Sequence, residues 1–377
     1  MRAVGIILAG GNNNRMKELT HKRAVAAMPI AGSYRSIDFA LSNMTNSHIQ
    51  KVAVLTQYNA RSLNEHLNSS KWWNFGRKQG GLYVFTPTIT NDNGYWYRGT
   101  ADAIYQNMDF LKKSHEPYVV IASGDAVYKM DYSKVLQYHI DKKADVTVVC
   151  KEMDPSDDVS RFGTIRMDDD MRITEFEEKP MVTKSNMIST GIYVIRRRLL
   201  IDLIEHAAEE ERFDFVNDVL IRYKNLKKIY GYKIDHYWSN IATVDAYYKT
   251  NMDFLKPEVR NYFFKQDPEI YSKVSDLPPA KYNPGASVKN SLVGSGSIIN
   301  GTVENSVIFK QVFVGNNCVI KNSIILNDVY LGDNTYIENC IVESRDTIRA
   351  NTRHKSGCRK EREVRTVRSV RLDRKGQ

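Results

Sequence analysis

Two stretches carry side chains whose types and spacing suit work on a phosphorylated nucleotide. The first is Leu8-Ala9-Gly10-Gly11-Asn12-Asn13-Asn14-Arg15. Paired glycines let a backbone bend into positive φ and come close to a ligand. Exposed N–H groups in such a turn bind phosphate, and an arginine after it adds a charged fork. The stretch reads as a nucleotide triphosphate loop or, equally from these residues alone, as an ordinary strand-turn. The second is Ser123-Gly124-Asp125. A carboxylate on the turn after a central strand stands where open α/β sheets bind ligands, and its hard oxygens suit Mg²⁺. The same Asp125 also suits the cap of a helix expected near Asp131 to His139. Lys22-Arg23 and Arg35 suit a polyphosphate, or equally a solvated charged loop. Gly99-Thr100 opens a helix and offers a cap with free N–H groups. Tyr237 to Thr243, with Asn240 at its centre, leads from a strand end into a helix and is placed to face the same site.

Short apolar runs position these residues. Val4 to Leu8, Lys51 to Thr56 and Tyr118 to Ala122 read as strands, the first wholly apolar and buried on both faces. Helical segments alternate with them, which predicts βαβ units and a Rossmann-like, mostly parallel sheet. Ser69 to Tyr95 has no period and reads as a long functional loop. A helix is expected from Ala103 to about Lys113. Further on, Val293, Ile299, Phe309, Val314, Ile320, Leu326, Leu331 and Ile337 recur in five- or six-residue steps or multiples of them, with Gly, Asn and Asp between. That is the hexapeptide pattern of a left-handed parallel β-helix. The expected organisation is an α/β domain over 1–256, a linker over 257–284, the β-helix over 285–345 and a basic, flexible tail over 346–377.

The 377 residues, 42% hydrophobic and 26% charged, have the composition of a soluble globular protein. No apolar run approaches the roughly 18 residues of a membrane span, and the N-terminus does not read as a signal peptide. Cys150, Cys318, Cys340 and Cys358 show no zinc or redox spacing and read as reduced packing residues of a cytoplasmic protein. Of the net charge of +10, the segment from Arg345 onward supplies eight, with twelve Lys and Arg against four Asp and Glu. The body is close to neutral, so the charge balance argues against a nucleic-acid partner.

Taken together, Leu8-Ala9-Gly10-Gly11 with Arg15, Lys22-Arg23-Ala24, Arg35 to Asn43, Trp96 to Ala103, Ser123-Gly124-Asp125, Glu175 to Pro180 and Gly191-Ile192-Tyr193 resemble bacterial ADP-glucose pyrophosphorylase, glucose-1-phosphate adenylyltransferase. The resemblance runs from residue 1 to about 345. It implies a tetrameric, Mg²⁺-dependent enzyme of glycogen biosynthesis that joins ATP and glucose 1-phosphate into ADP-glucose and pyrophosphate. By position, it implies that Leu8, Ala9, Gly10, Gly11, Gly99 and Thr100 line the nucleotide site. Arg15 would hold the ATP phosphates and Asp125 the metal. Tyr97, Gly163, Glu178, Lys179 and Ser189 match glucose 1-phosphate contacts, with Lys179 as the charge on the sugar phosphate.

This sequence departs from the family at the ATP and metal end. Asn13-Asn14 replaces Gly-Thr or Gly-Ser before Arg15, and Val25 replaces the lysine of Ala-Lys-Pro-Ala. Gly-Asp-His is here Gly124-Asp125-Ala126, and Trp-x-Asp-Val-Gly-Thr is Trp238-Ser239-Asn240-Ile241-Ala242-Thr243. The second metal carboxylate becomes neutral Asn240, which predicts a weak or lost Mg²⁺ site. The sugar-phosphate motifs remain. The pattern matches the D-type subunit that pairs with a catalytic subunit in a hetero-tetramer, impaired in catalysis and regulatory in role. The competing readings are an independently active sugar-phosphate nucleotidyltransferase and a module that only senses sugar phosphate.

Overall fold

The computed structural model describes residues 2–11, 14–76, 80–88, 94–356 and 365–367. They fall into two units. One is Met1–Asn12 with Phe39–Trp238, the other Asn13–Asp38 with Ser239–Gln377.

The first unit is built on a nine-stranded sheet. Its strands are β1 (Ala3–Leu8), β2 (Lys51–Leu55), β3 (Gly81–Phe85), β4 (Tyr118–Ser123), β5 (Val146–Glu152), β6 (Gly163–Met167), β7 (Ile173–Glu178), β8 (Met187–Arg196) and β9 (Ile229–Ile234). β1 lies between β2 and β4, parallel to both, with Gly5 opposite Val52 on one side and Val120 on the other. Its Val4 and Ile7 are fully buried, as a two-sided apolar run requires. β8 runs antiparallel to β4, β5 and β6, and its ladder with β5 shifts register between Ser189 and Tyr193. That shift is a bulge, and Gly191 inside it has φ 75°.

The long loop expected over Ser69 to Tyr95 contains regular structure. β3 pairs in parallel with β2 from Lys51–Gly81 to Leu55–Phe85. A half-buried edge strand with no apolar alternation leaves little periodic signal. Its rings hold it, since Tyr83 and Phe85 meet Phe110 edge-on at 5.5 and 5.7 Å. The helix expected from Ala103 to Lys113 is two, Thr100–Gln106 and Met108–Lys112. They part at Asn107, whose amide donates to Tyr97 Oη at 2.9 Å and to Ala103 O at 2.8 Å.

The helix Tyr132–Asp141 carries a buried histidine. His139 Nδ1 lies 2.9 Å from Thr147 Oγ1, and its Nε2 is buried without a partner. Burial, helped by the Arg196 charge, lowers its pKa to about 4. The unfolded chain therefore binds a proton near pH 6.5 that the folded chain refuses until about pH 4. Stability is full above 6.5 and falls as pH drops through that window, by about 3 kcal/mol at most. Chemical denaturation between pH 7 and 4 reads this, and His139→Gln should flatten the curve.

In the second unit, three all-parallel five-stranded sheets form the left-handed β-helix. Successive strands of one sheet stack Ile299, Val314, Leu331 and Ile348 in register, and all four are buried. A second sheet stacks Val303, Ile320 and Ile337. Asn290, Asn305, Asn322 and Asn339 turn one corner at φ 42–54°. Asparagine tolerates this left-handed region better than other side chains. Asn317 donates to Asn334 at 3.2 Å, and Asn334 to Asn351 at 2.9 Å, along a second corner.

Two sequence boundaries shift. The stretch 257–284 contains the helix Pro257–Phe264, and Lys281–Tyr282 already belongs to the first coil. The coils also run past 345, since Thr347–Ile348, Arg353–Lys355 and Arg365–Val367 each add a strand in register. His354 takes the place of Ile337 in its column, and that polar residue hides the coil from a reading of apolar steps. Cys150, Cys318 and Cys340 are buried free thiols, while Cys358 lies outside the described residues.

Candidate functional site

β1 ends where the nucleotide loop was expected. Ala9 N–H donates to Leu55 O at 2.8 Å, and Gly124 N–H donates to Leu8 O at 3.0 Å. The loop is thus tied to both neighbours at the carboxyl edge of the sheet. Gly10 and Gly11 do not use positive φ, contrary to the expectation. A Cβ on Gly11 would meet no atom within 4 Å and one on Gly10 only ordinary contacts from 3.6 Å, so the protein's own packing does not require glycine at either position. Asn12 and Asn13 lie outside the described residues.

Behind Gly99-Thr100, the next N–H groups of the helix start are already taken up. Ala101 N–H donates to Phe213 O at 2.8 Å and Asp102 N–H at 3.3 Å, and Thr100 Oγ1 accepts from Phe215 N–H at 2.9 Å. A Cβ on Gly99 would stand 2.3 Å from Phe213 O, so glycine is required by this packing. Buried Asp102 accepts from Arg98 N–H at 2.8 Å and pairs with its guanidinium at 3.2 Å, while the guanidinium lies 3.8 Å from the Phe213 ring centre. The motif is a clamp that fixes Tyr97. That residue is buried, and burial raises its phenol pKa, against the lowering bond from Asn107. Phe213 lies over a hundred residues from the motif, and nothing in its own sequence signals the part it plays.

Of the residues expected to hold glucose 1-phosphate, Gly163, Glu178 and Lys179 lie together, with Ser189 on the neighbouring strand. Gly163 on β6 is the register partner of Glu178 on β7. A Cβ on Gly163 would stand 2.9 Å from Glu178 Oε2, so the carboxylate lies against its backbone. Lys179 N–H donates to Phe162 O at 3.2 Å, and its ammonium pairs with Glu178 Oε1 at 2.9 Å. Lys179 is largely exposed, and its charge can exchange this partner for a phosphate. Buried Ser189 lies 3.2 Å from Tyr193 Oη. Burial pushes the Tyr193 phenol well up, the Ser189 bond lowers it, and the Glu178 charge raises it again, which places Tyr193 in the same group. The bulge brings Gly191 beside Ser123, with a built Cβ 3.4 Å from the Ser123 side chain. Ser123 Oγ in turn donates to Asp125 Oδ1. Ser123 and Tyr193, which stand in motifs the sequence shows, thus gain neighbours that the sequence did not assign to them. Asp125 does not cap the helix Tyr132–Asp141, because Asp131 does, accepting from Ser133 N–H at 2.9 Å.

In the second unit, Arg15 is exposed on the turn Asn14–Thr20, anchored by buried Met16 and Leu19. Lys22 is exposed beside it, and Arg23 pairs with Glu343. Val25 is buried in the turn Val25–Ala27, so the position expected to carry a lysine packs as core. Asn240 Oδ1 accepts from Ala242 N–H at 3.0 Å, and Thr243 caps the helix Val244–Asp253 through Ala246 N–H. Mg²⁺ favours anionic oxygens. Asp125 carries one, whereas Asn240 is neutral and its oxygen accepts a hydrogen bond from Ala242 N–H. The amide at position 240 does not fit the second carboxylate that the resemblance implies for a metal. Among the described residues no three His, Cys, Asp or Glu side chains gather as metal ligands, and no helix is long and apolar enough to cross a membrane.

Residues 4–257 match the Nucleotidyl transferase family, and residues 278–368 match the GlmU-like, C-terminal hexapeptide family. The chain is 40% identical over 320 residues to the glucose-1-phosphate adenylyltransferase of Clostridium novyi (strain NT), covering 84% of each. It is 42% identical over 321 residues to that of Clostridium botulinum (strain Alaska E43 / Type E3), covering 84% of this chain and 83% of the relative. With the Geobacillus stearothermophilus protein of the same name it shares 39% over 322 residues, 85% of this chain and 83% of the relative.

Proposed function

The chain belongs to the glucose-1-phosphate adenylyltransferase family, and we propose that within it this chain is a regulatory subunit, impaired in catalysis, that works beside a catalytic subunit in a hetero-tetramer. The reaction it serves joins ATP and glucose 1-phosphate into ADP-glucose and pyrophosphate. In that reaction the sugar phosphate attacks the α-phosphorus in line, so the protein must orient both reactants and neutralise the leaving pyrophosphate. Family members generally use Mg²⁺, which when bound neutralises the polyphosphate.

The observation that carries the reading is Asn240. It is neutral where a carboxylate is expected, and its amide oxygen accepts from Ala242 N–H. Buried Val25 adds a second lost charge. The grouping of Gly163, Glu178, Lys179, Ser189 and Tyr193 supports retained glucose 1-phosphate binding. The buried free thiols suit a reducing, cytoplasmic setting.

The test is pyrophosphate release from ATP and glucose 1-phosphate with Mg²⁺, by the purified chain alone and mixed with a catalytic subunit of the family. The expected result is near silence alone and a gain over the catalytic subunit's own rate in the mixture. Robust turnover by the chain alone would reject the reading in favour of an independently active nucleotidyltransferase.

A further inference from the structure

Arg23 directly follows Lys22 and stands eight residues after Arg15 in the chain. Its Nη2 donates to Glu343 Oε1 at 2.6 Å, and its Nη1 to Ser344 Oγ at 3.3 Å. Glu343 and Ser344 follow the β-helix strand Cys340–Val342, some 320 residues further along the chain. The pair is shielded, with side-chain exposures of 16% for Arg23 and 7% for Glu343. A carboxylate so far out of water needs a partner, and Glu343 Oε1 also accepts from Ser344 N–H at 2.8 Å. The segment after Arg23 is tied down separately. Fully buried Tyr247 donates from its hydroxyl to Pro29 O at 2.7 Å, and Asn251 Oδ1 accepts from Ala31 N–H at 3.0 Å. These two contacts fix residues 29–31, buried Met16 and Leu19 hold the turn Asn14–Thr20, and the Arg23–Glu343 pair holds the residue that directly follows Lys22.

We propose that Glu343 is a positioning residue for the nucleotide phosphates, acting through Arg23 to fix the segment that presents Arg15 and Lys22. The inference rests on the reading of Arg15 and Lys22 as phosphate ligands. A β-helix coil thereby sets the geometry of a phosphate-binding segment remote from it in sequence. An exposed ion pair would be too weak and too mobile for this, whereas a shielded pair with a second hydrogen bond holds one geometry.

The test uses the full chain and three variants, Glu343→Gln, Arg23→Lys and the exchange Arg23→Glu with Glu343→Arg. Calorimetry reads the affinity for ATP and for glucose 1-phosphate separately, and hydrogen exchange follows the amides of residues 14–24. Glu343→Gln is expected to weaken ATP binding about tenfold, the size of a typical coupled pair, and to speed exchange in that segment. Glucose 1-phosphate affinity and exchange in β1 should not move. Arg23→Lys, which loses the forked contact, should fall between, and the exchange variant should recover part of the ATP affinity. Unchanged ATP affinity in Glu343→Gln overturns the proposal. So does an equal fall for both ligands, which a general loss of structure would give, and so does a wild-type chain that binds no ATP. Turnover is read separately as pyrophosphate release, so rejection of the regulatory-subunit reading leaves a distinct signature from rejection of this one.

Discussion

Replacing Asn240 by Asp is expected to raise Mg²⁺-dependent pyrophosphate release by this chain alone by about two orders of magnitude, within the several kcal/mol that a well-held metal contributes. The substitution is isosteric. A carboxylate oxygen accepts from Ala242 N–H as the amide oxygen does now, so the turn into the helix capped by Thr243 is kept. What changes is one negative charge and a second lone-pair-bearing oxygen in place of an NH₂ group. Thermal unfolding should therefore stay where it is while the rate rises. Adding Val25→Lys should raise the rate again, but at a cost. Val25 is 7% exposed, and a lysine there must carry its ammonium out along the Val25–Ala27 turn. The single variant is thus the sharper measurement, made as steady-state pyrophosphate release at saturating glucose 1-phosphate. A parent rate already equal to that of Asn240→Asp would show that the neutral residue is no defect. Silence in both variants would move the defect to Asn13 and Asn14.

The parts of the molecule legible in the sequence are those whose order is local. β1 shows as an unbroken apolar run, because it lies inside the sheet between β2 and β4 and its side chains are buried on both faces. The β-helix shows because each coil repeats the same inward residue and the same left-handed corner, so Ile299, Val314, Leu331 and Ile348 echo one another along the chain. Where a coil breaks that rule, as at His354, the pattern stops before the structure does. β3 was lost for the opposite reason. It is an edge strand held by ring contacts to Phe110, and such contacts leave no period. At the site, motifs identified residues without revealing their work. Gly99 and Thr100 look like a phosphate-binding helix start, and only the Phe213 carbonyl, from a distant segment, shows that the N–H groups of Ala101 and Asp102 just behind them are taken. Ser123 and Tyr193 stand in motifs the sequence shows, but their neighbours come from a bulge at Gly191, which sets the register of β8 against β5.

Gly163→Ala is expected to lower the affinity for glucose 1-phosphate by an order of magnitude or more, and to destabilise the fold by about 1–3 kcal/mol, the usual cost of overfilling a packed site. The added methyl would stand 2.6 Å from Phe176 Cε2 and 2.9 Å from Glu178 Oε2, both too close for a carbon. Phe176 is 1% exposed and has no room to yield. The alternative is for β6 to draw back from β7. That movement carries Glu178 away and breaks the bond from Lys179 N–H to Phe162 O, so both groups expected to hold the sugar phosphate shift at once. Gly76→Ala is the control, since a Cβ there meets nothing within 4 Å and should change neither quantity. The two effects of Gly163→Ala separate in the double variant with Phe176→Leu. The smaller side chain relieves the clash at the ring but not the one at Glu178 Oε2. Calorimetric titration with glucose 1-phosphate alongside thermal unfolding should then show stability partly recovered and affinity still low. Recovery of both together would mean that the carboxylate does not read the ligand, and that Gly163 matters only for packing.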